Sequence, residues 1–377
     1  MKDNKFIKII VNIMKLLCFL CIVIISIIII DCTFGTNFSG ETVTFFAKIG
    51  HNESGENVEE VQISDIIQKT LSKIEGSSDE YNNVDYSNVK VDKYFFNQLD
   101  DEAKNIYKAF ESNKEEMKTG TARIELGTSC SNVLSKENGQ EELGKYFQSA
   151  IEAYTYDNPD VFYLSLSKMF LNIETTTRGK KVTYNVYINS GNEEKYLTKE
   201  FNDEVEVEEA IKRINNVRQA VLENKQDNVY DNIKMVHDYL INTIEYDNGA
   251  VRSNTYNIYG ALVNNECVCE GYAKSFKYLM DALDIPCTLV IGKARNSSGA
   301  TENHAWNYVQ IDDKWYAVDC TWDDPVIIGF GSVDKSRKYK YFLVGENEIN
   351  KDHMPNGKFT EGGKEFEYPT LSIENYK

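Results

Sequence analysis

The stretch from Asn303 to Trp322 allows few folds. Asn303-His304-Ala305-Trp306-Asn307-Tyr308-Val309-Gln310-Ile311 alternates like a strand, and Lys314-Trp315-Tyr316-Ala317-Val318-Asp319-Cys320-Thr321-Trp322 comes directly after Asp312-Asp313. Two strands joined by two turn-forming residues make an antiparallel hairpin. With Asp312-Asp313 as the turn, Ile311 pairs with Lys314. His304 then falls opposite Thr321, and Asp319 is its diagonal neighbour on the same face. A slip of one residue would send Asp319 to the other face. In this register the carboxylate can accept from the imidazole of His304 and fix its tautomer.

Upstream lies Cys267-Val268-Cys269-Glu270-Gly271-Tyr272-Ala273-Lys274-Ser275-Phe276. Tyr272, Phe276, Leu279 and Leu283 recur at helical spacing, which predicts a helix running to about Asp284. Cys269 stands at its start. The unpaired N–H groups of a helix N-terminus favour negative charge, hence a thiolate, and can donate to an oxyanion. Gly271 permits close approach of backbone or substrate.

The blocks VCEGYA-x-x-F-x-x-L, HAWN-x-V and KWY-x-V-D-x-TWDDP, in that order, resemble the bacterial transglutaminase-like superfamily, relatives of papain-like proteases. The match is strongest over 267–325. His237-Asp238-Tyr239-Leu240 with Tyr246-Asp247, and Tyr259-Gly260-Ala261-Leu262, are weaker parts of the same resemblance. By position it implies Cys269 as nucleophile, His304 as base and Asp319 as orienting carboxylate. It also implies an α+β fold, in which a papain-like helix bearing the cysteine packs on an antiparallel sheet bearing the histidine and aspartate. Two departures stand out. The turn commonly reads Asp-Gly in such proteins and here is Asp312-Asp313. Animal transglutaminases use an upstream tryptophan as oxyanion donor, whereas Trp306, Trp315 and Trp322 all lie after Cys269; Tyr259 or Asn257 are the available substitutes. No calcium-loop motif is present, and no cofactor is implied.

Other reactive side chains have plainer readings. Cys130, Cys287 and Cys320 read as small buried hydrophobes, and Cys267 as structural, a redox partner or a rival nucleophile. His237 reads as a core hydrogen-bonding residue. His51 and His353 read as solvated, the first in a stalk and the second in a polar tail. The tryptophans read as core and pocket wall. Asp323-Asp324-Pro325 reads as turn chemistry closing the strand. With four histidines in the chain and no C-x2-C pair beyond the N-terminal run, a zinc site is poorly supported.

The N-terminus carries Lys2, Lys5, Lys8 and Lys15 ahead of the apolar run Leu16–Ile30. Snorkelling of Lys15 extends that run toward the length of a membrane span. The flanking charges place the rest of the chain outside the cytoplasm. Cleavage as a signal peptide is the alternative, although Asp31-Cys32-Thr33-Phe34-Gly35 lacks small residues in the A-x-A pattern. The residues before Cys32 do not resemble a lipobox. The net charge of −18 includes these lysines, so the body of the chain is more acidic still. Contact with nucleic acid phosphates is therefore disfavoured.

The 377 residues divide into an anchor (1–30), a stalk (31–58), an α+β accessory region (59–200), the transglutaminase-like domain (201–345) and a C-terminal extension (346–377). Helices are expected from Ile63, with Ile66, Ile67, Leu71 and Ile74 on one face, and over 102–117, 141–154, 205–222 and 229–244. Strands are expected over 161–173 and 181–188, joined across Arg178-Gly179. The chemistry expected is acyl transfer through a Cys269 thioester on protein or peptide substrates, cell-wall peptides among them. The alternatives are a cysteine peptidase with the same triad and a non-catalytic binding module.

Overall fold

In the computed structural model the described residues are 67–71, 84–178, 180–191, 193–247, 250, 254–295, 299–324, 338–357 and 364–377. The expected anchor and stalk lie outside them. Among the described residues no helix is long and apolar enough to cross a membrane.

A first sheet has the order β1-β3-β4-β2, built from β1 (Ile67–Leu71), β2 (Ile124–Gly127), β3 (Phe170–Arg178) and β4 (Lys181–Asn189). β1 corrects the helix expected here. It runs parallel to β3, Ile67 opposite Leu171 and Leu71 opposite Thr175. Residues four apart share a face under the helical and the strand period alike, so Ile67 and Leu71 could not decide between them. Ile63, Ile66 and Ile74 lie outside the described residues. Arg178 pairs with Lys181, so the β3–β4 connection is 179–180, one residue later than expected. The strand expected from Val161 starts only at Phe170. Before it, Ser165 N–H donates to the Tyr196 carbonyl and Thr198 N–H to that of Tyr163, so this segment bonds to 196–198 rather than to β4.

The helices α1 (Asp101–Ser112) and α2 (Gly139–Asp157) pack against each other. Ala103, Ile106 and Phe110 of α1 and Leu143, Phe147, Ala150, Ile151 and Tyr154 of α2 are buried, as their spacing predicts. Two further helices, α3 (Glu204–Leu222) and α4 (Val229–Thr243), start where Asp203 and Asn228 accept from Glu206 N–H and Asp231 N–H at 3.0 and 2.8 Å. Such caps satisfy donors that a helix start leaves unpaired.

The elements that carry the site are α5 (Cys269–Ala282), β5 (Cys287–Arg295), β6 (Thr301–Ile311), β7 (Lys314–Val318), the single-turn α6 (Cys320–Asp323) and β8 (His353–Pro355). They form a second sheet of order β8-β5-β6-β7, and α5 lies against β5 and β6. Tyr272, Phe276, Leu279 and Leu283 are all buried, each apolar side chain contributing about 1.5–3 kcal/mol. Asp312 and Asp313 have φ of 49° and 58°, the left-handed pair of a type I′ hairpin turn. Ile311 pairs with Lys314 as expected, but the ladder ends at Asn307 opposite Val318. Asp319 leaves the strand to cap α6. Thr321 therefore does not face His304, whose ladder partner is Gly292 of β5.

Candidate active site

The start of α5 is set by the chain before it. Glu245–Tyr246 pairs in parallel with Glu266–Cys267, and Val268, extended at φ −95° and ψ −178°, donates its N–H to the Thr255 carbonyl at 3.0 Å. Cys269 is then the first helical residue, among N–H groups that have no partner within the helix. Gly271 is required for this packing. A Cβ there would lie 2.5 Å from Cys267 Cβ, 2.8 Å from its Sγ and 3.0 Å from the Thr255 carbonyl oxygen. Asn307 of β6 donates to the Ala273 carbonyl at 2.9 Å and ties the helix to the sheet.

His304 projects from β6, with Nε2 2.8 Å from Asp319 Oδ2. Nδ1 is thereby the nitrogen left for Cys269, whose side chain is close enough to act on the charge of the ring. Burial disfavours the charged imidazole. The charge and hydrogen bond of Asp319, then Cys269, outweigh it and raise His304 to about 10. Burial works against the Asp319 carboxylate too, yet His304 and the hydrogen bond of His353 hold it well below the usual range. The structure thus brings Cys269, His304 and Asp319 together, with His304 and Asp319 hydrogen-bonded. Asp319 also caps α6: Oδ1 accepts from Thr321 N–H at 2.9 Å and Trp322 N–H at 3.2 Å. One oxygen thus caps α6 and the other bonds His304.

His353, expected in a solvated tail, is instead 1% exposed. β8 pairs antiparallel with β5, His353 opposite Ala294. His353 Nε2 lies 3.0 Å from Asp319 Oδ2 and Nδ1 2.7 Å from Asp352 Oδ1. Its ring packs among Trp322, Trp306 and Tyr341. A three-residue strand in a polar segment carries no pattern by which sequence could have placed it. Asn307, by contrast, stands in the HAWN block and is readable as part of the constellation.

The remaining candidates have other partners. His237 is buried as expected, bonded to Asp323 at 3.1 Å and Asp238 at 3.2 Å. Asp323 and Asp324 are more than turn residues: Asp323 also accepts from Tyr341 N–H at 2.9 Å, and Asp324 from the Tyr272 hydroxyl at 2.5 Å. Tyr259 and Asn257 are occupied elsewhere. The Tyr259 hydroxyl accepts from Arg213 and its ring stacks on Phe162, while Asn257 caps Tyr259 and Gly260 N–H. Cys130, Cys267, Cys287 and Cys320 are buried free thiols. Burial, then the charge of Cys269, pushes the Cys267 thiol well up, which argues against it as the nucleophile. His51 lies outside the described residues.

Donor atoms of His304, Asp319 and His353 lie within 4.8 Å of one another. Hydrogen bonds account for that closeness, since Asp319 Oδ2 accepts from both rings.

A cysteine at a helix N-terminus, facing an imidazole that a buried carboxylate orients, is the arrangement of a papain-like thiol site. Residues 215–320 match the family model of the transglutaminase-like superfamily, so the chain carries a domain of that superfamily, whose members are usually cysteine enzymes. Kyphoscoliosis peptidase of mouse and of human is 26% identical over 145 residues, covering 34% of this chain and 21% of the relative. The chain thus spans about a fifth of the length of these curated relatives. The crystal structure of a TGase is similar at 16% identity and a TM-score of 0.28, over 46% of this chain and 50% of that one.

Proposed function

We propose that this protein transfers an acyl group from a protein or peptide amide through a thioester on Cys269. The observation that carries this reading is the row Cys269–His304–Asp319, with the thiol at the first position of a 14-residue helix. Cys269 Sγ bonds to the amide carbon, and the carbonyl oxygen becomes an oxyanion beside the helix N–H groups. Collapse breaks the C–N bond, and the departing amine leaves with the proton held by His304. A second nucleophile then attacks the thioester, passes its proton to His304 and releases the thiolate. An amine gives cross-linking; water gives deamidation or cleavage. The N-terminal apolar run supports an extracytoplasmic site facing surface proteins or cell-wall peptides. The peptidase reading has one specific support, the name of the curated relatives.

The test offers the full-length protein a labelled primary amine with a glutamine-containing protein, comparing wild type with Cys269→Ala by mass spectrometry. Cys269-dependent amine incorporation is the expected result. Cleavage or deamidation alone would move the assignment to a hydrolase. If neither occurs and Cys269 reacts with iodoacetamide no faster than a free thiol, the chain is a binding module.

A further inference from the structure

His353 is a buried imidazole that this mechanism leaves unused and that touches its carboxylate directly. Both of its ring nitrogens face carboxylate oxygens, Asp319 Oδ2 at 3.0 Å and Asp352 Oδ1 at 2.7 Å. An ionised carboxylate only accepts, so the ring meets Asp319 Oδ2 through an N–H on Nε2. Asp352 is itself fixed: its other oxygen accepts from the Tyr341 hydroxyl at 2.6 Å and lies 3.8 Å from Lys340 Nζ. Trp322, Trp306 and Tyr341 box the ring at centroid distances of 4.6, 5.0 and 5.1 Å.

Asp319 is where this imidazole meets the thiol site. Its Oδ1 is held by two backbone N–H groups, and its Oδ2 is shared by His304 and His353. Removing the His353 donor leaves Oδ2 located by His304 alone, the ring it is supposed to orient. The backbone supports the same coupling. Gly292, the ladder partner of His304, would meet Met354 O at 2.2 Å and the Trp306 ring at 2.8 Å if it carried a Cβ. The strand that bears His353 is thus seated directly behind the strand that pairs with His304.

We propose that His353, delivered by the C-terminal strand, is a positioning residue of the Cys269 site, acting through Asp319 with Asp352 as its anchor. This rests on the thiol-enzyme reading above.

Two variants separate donor from shape. Phe in His353→Phe fills the aromatic box without an N–H. His353→Gln keeps a side-chain N–H in reach of Asp319. The readout is the rate at which iodoacetamide alkylates Cys269 in the full-length protein, followed by peptide mass spectrometry, with thermal melts to establish folding. Losing one charge-assisted hydrogen bond should slow H353F about tenfold, and H353Q should recover to within about threefold of wild type. A folded H353F that reacts like wild type overturns the proposal. So does H353Q as slow as H353F, which would leave only packing. If H353F does not fold, Asp352→Asn carries the test, with several-fold slowing expected and a wild-type rate overturning it. A wild-type Cys269 no faster than a free thiol defeats the thiol-enzyme reading itself. That outcome differs from a fast wild type insensitive to His353.

Discussion

Asp319→Asn tests the site most sharply, because it alters one oxygen of a carboxylate whose two oxygens do different work. Asn keeps Oδ1, and with it the contacts to Thr321 and Trp322 N–H that start α6; as an N-cap it equals Asp. Where Oδ2 stood, an NH2 group faces Nε2 of both His304 and His353, formerly 2.8 and 3.0 Å from the carboxylate. Donor now meets donor. His304 can restore a bond only by accepting at Nε2 and carrying its proton on Nδ1, toward Cys269, where it cannot take up the thiol proton. Two bonds to a charged group are worth about 1.5–3 kcal/mol each, and neutral replacements recover about 0.5–1.5 each. The net cost is therefore about 2–3 kcal/mol at pH 7, with turnover and Cys269 alkylation falling about 10³- to 10⁴-fold, as for a wrong tautomer in a triad. The pH dependence comes from the raised His304. Its ordinary value is 6.5 and its folded value about 10, so its stabilisation is full below 6.5, declines as pH rises and is gone above about 10. Asp319, held low, contributes above its ordinary 3.8 and loses that contribution as pH falls through its folded value. Urea denaturation of wild type and D319N at pH 6 and pH 10 should therefore show a penalty that shrinks toward alkaline pH. An equal penalty at both, or unchanged alkylation of D319N, would refute the reasoning.

Further expectations concern the scaffold. Asp313→Gly removes the side chain from a position at φ 58° and should stabilise by about 1 kcal/mol in urea denaturation. Asp312 is better kept, since its carboxylate accepts from the Tyr376 hydroxyl at 2.9 Å. Gly271→Ala drives a methyl into Cys267 and the Thr255 carbonyl. It should cost about 1–3 kcal/mol and slow Cys269 alkylation by displacing the start of α5; a melt within about a degree of wild type would count against that packing.

Periodicity alone locates α1 to α5, because each buries one stripe and the stripe is written at its own spacing. It also locates the β6–β7 hairpin, where two aspartates tolerate left-handed backbone and the turn sets the register. Cys269 and His304 are legible for the same reason, one at a helix start and the other on a strand beside a readable turn. Asp319 is identifiable too, but by a ladder that ends before reaching it. Its place depends on leaving β7 to cap α6, and capping is settled by which donors stand nearby in three dimensions. β1 reads wrongly as a helix because its two apolar residues fit either period. His353 is wholly illegible: β8 is too short to carry a pattern, and its partner Ala294 lies far back in the chain. The sequence by itself determined helices α1 to α5, the β6–β7 hairpin and the order of the thiol, imidazole and carboxylate blocks. Only the tertiary structure decided which buried polar groups satisfy one another, because a hydrogen bond between distant segments leaves no periodic trace in either.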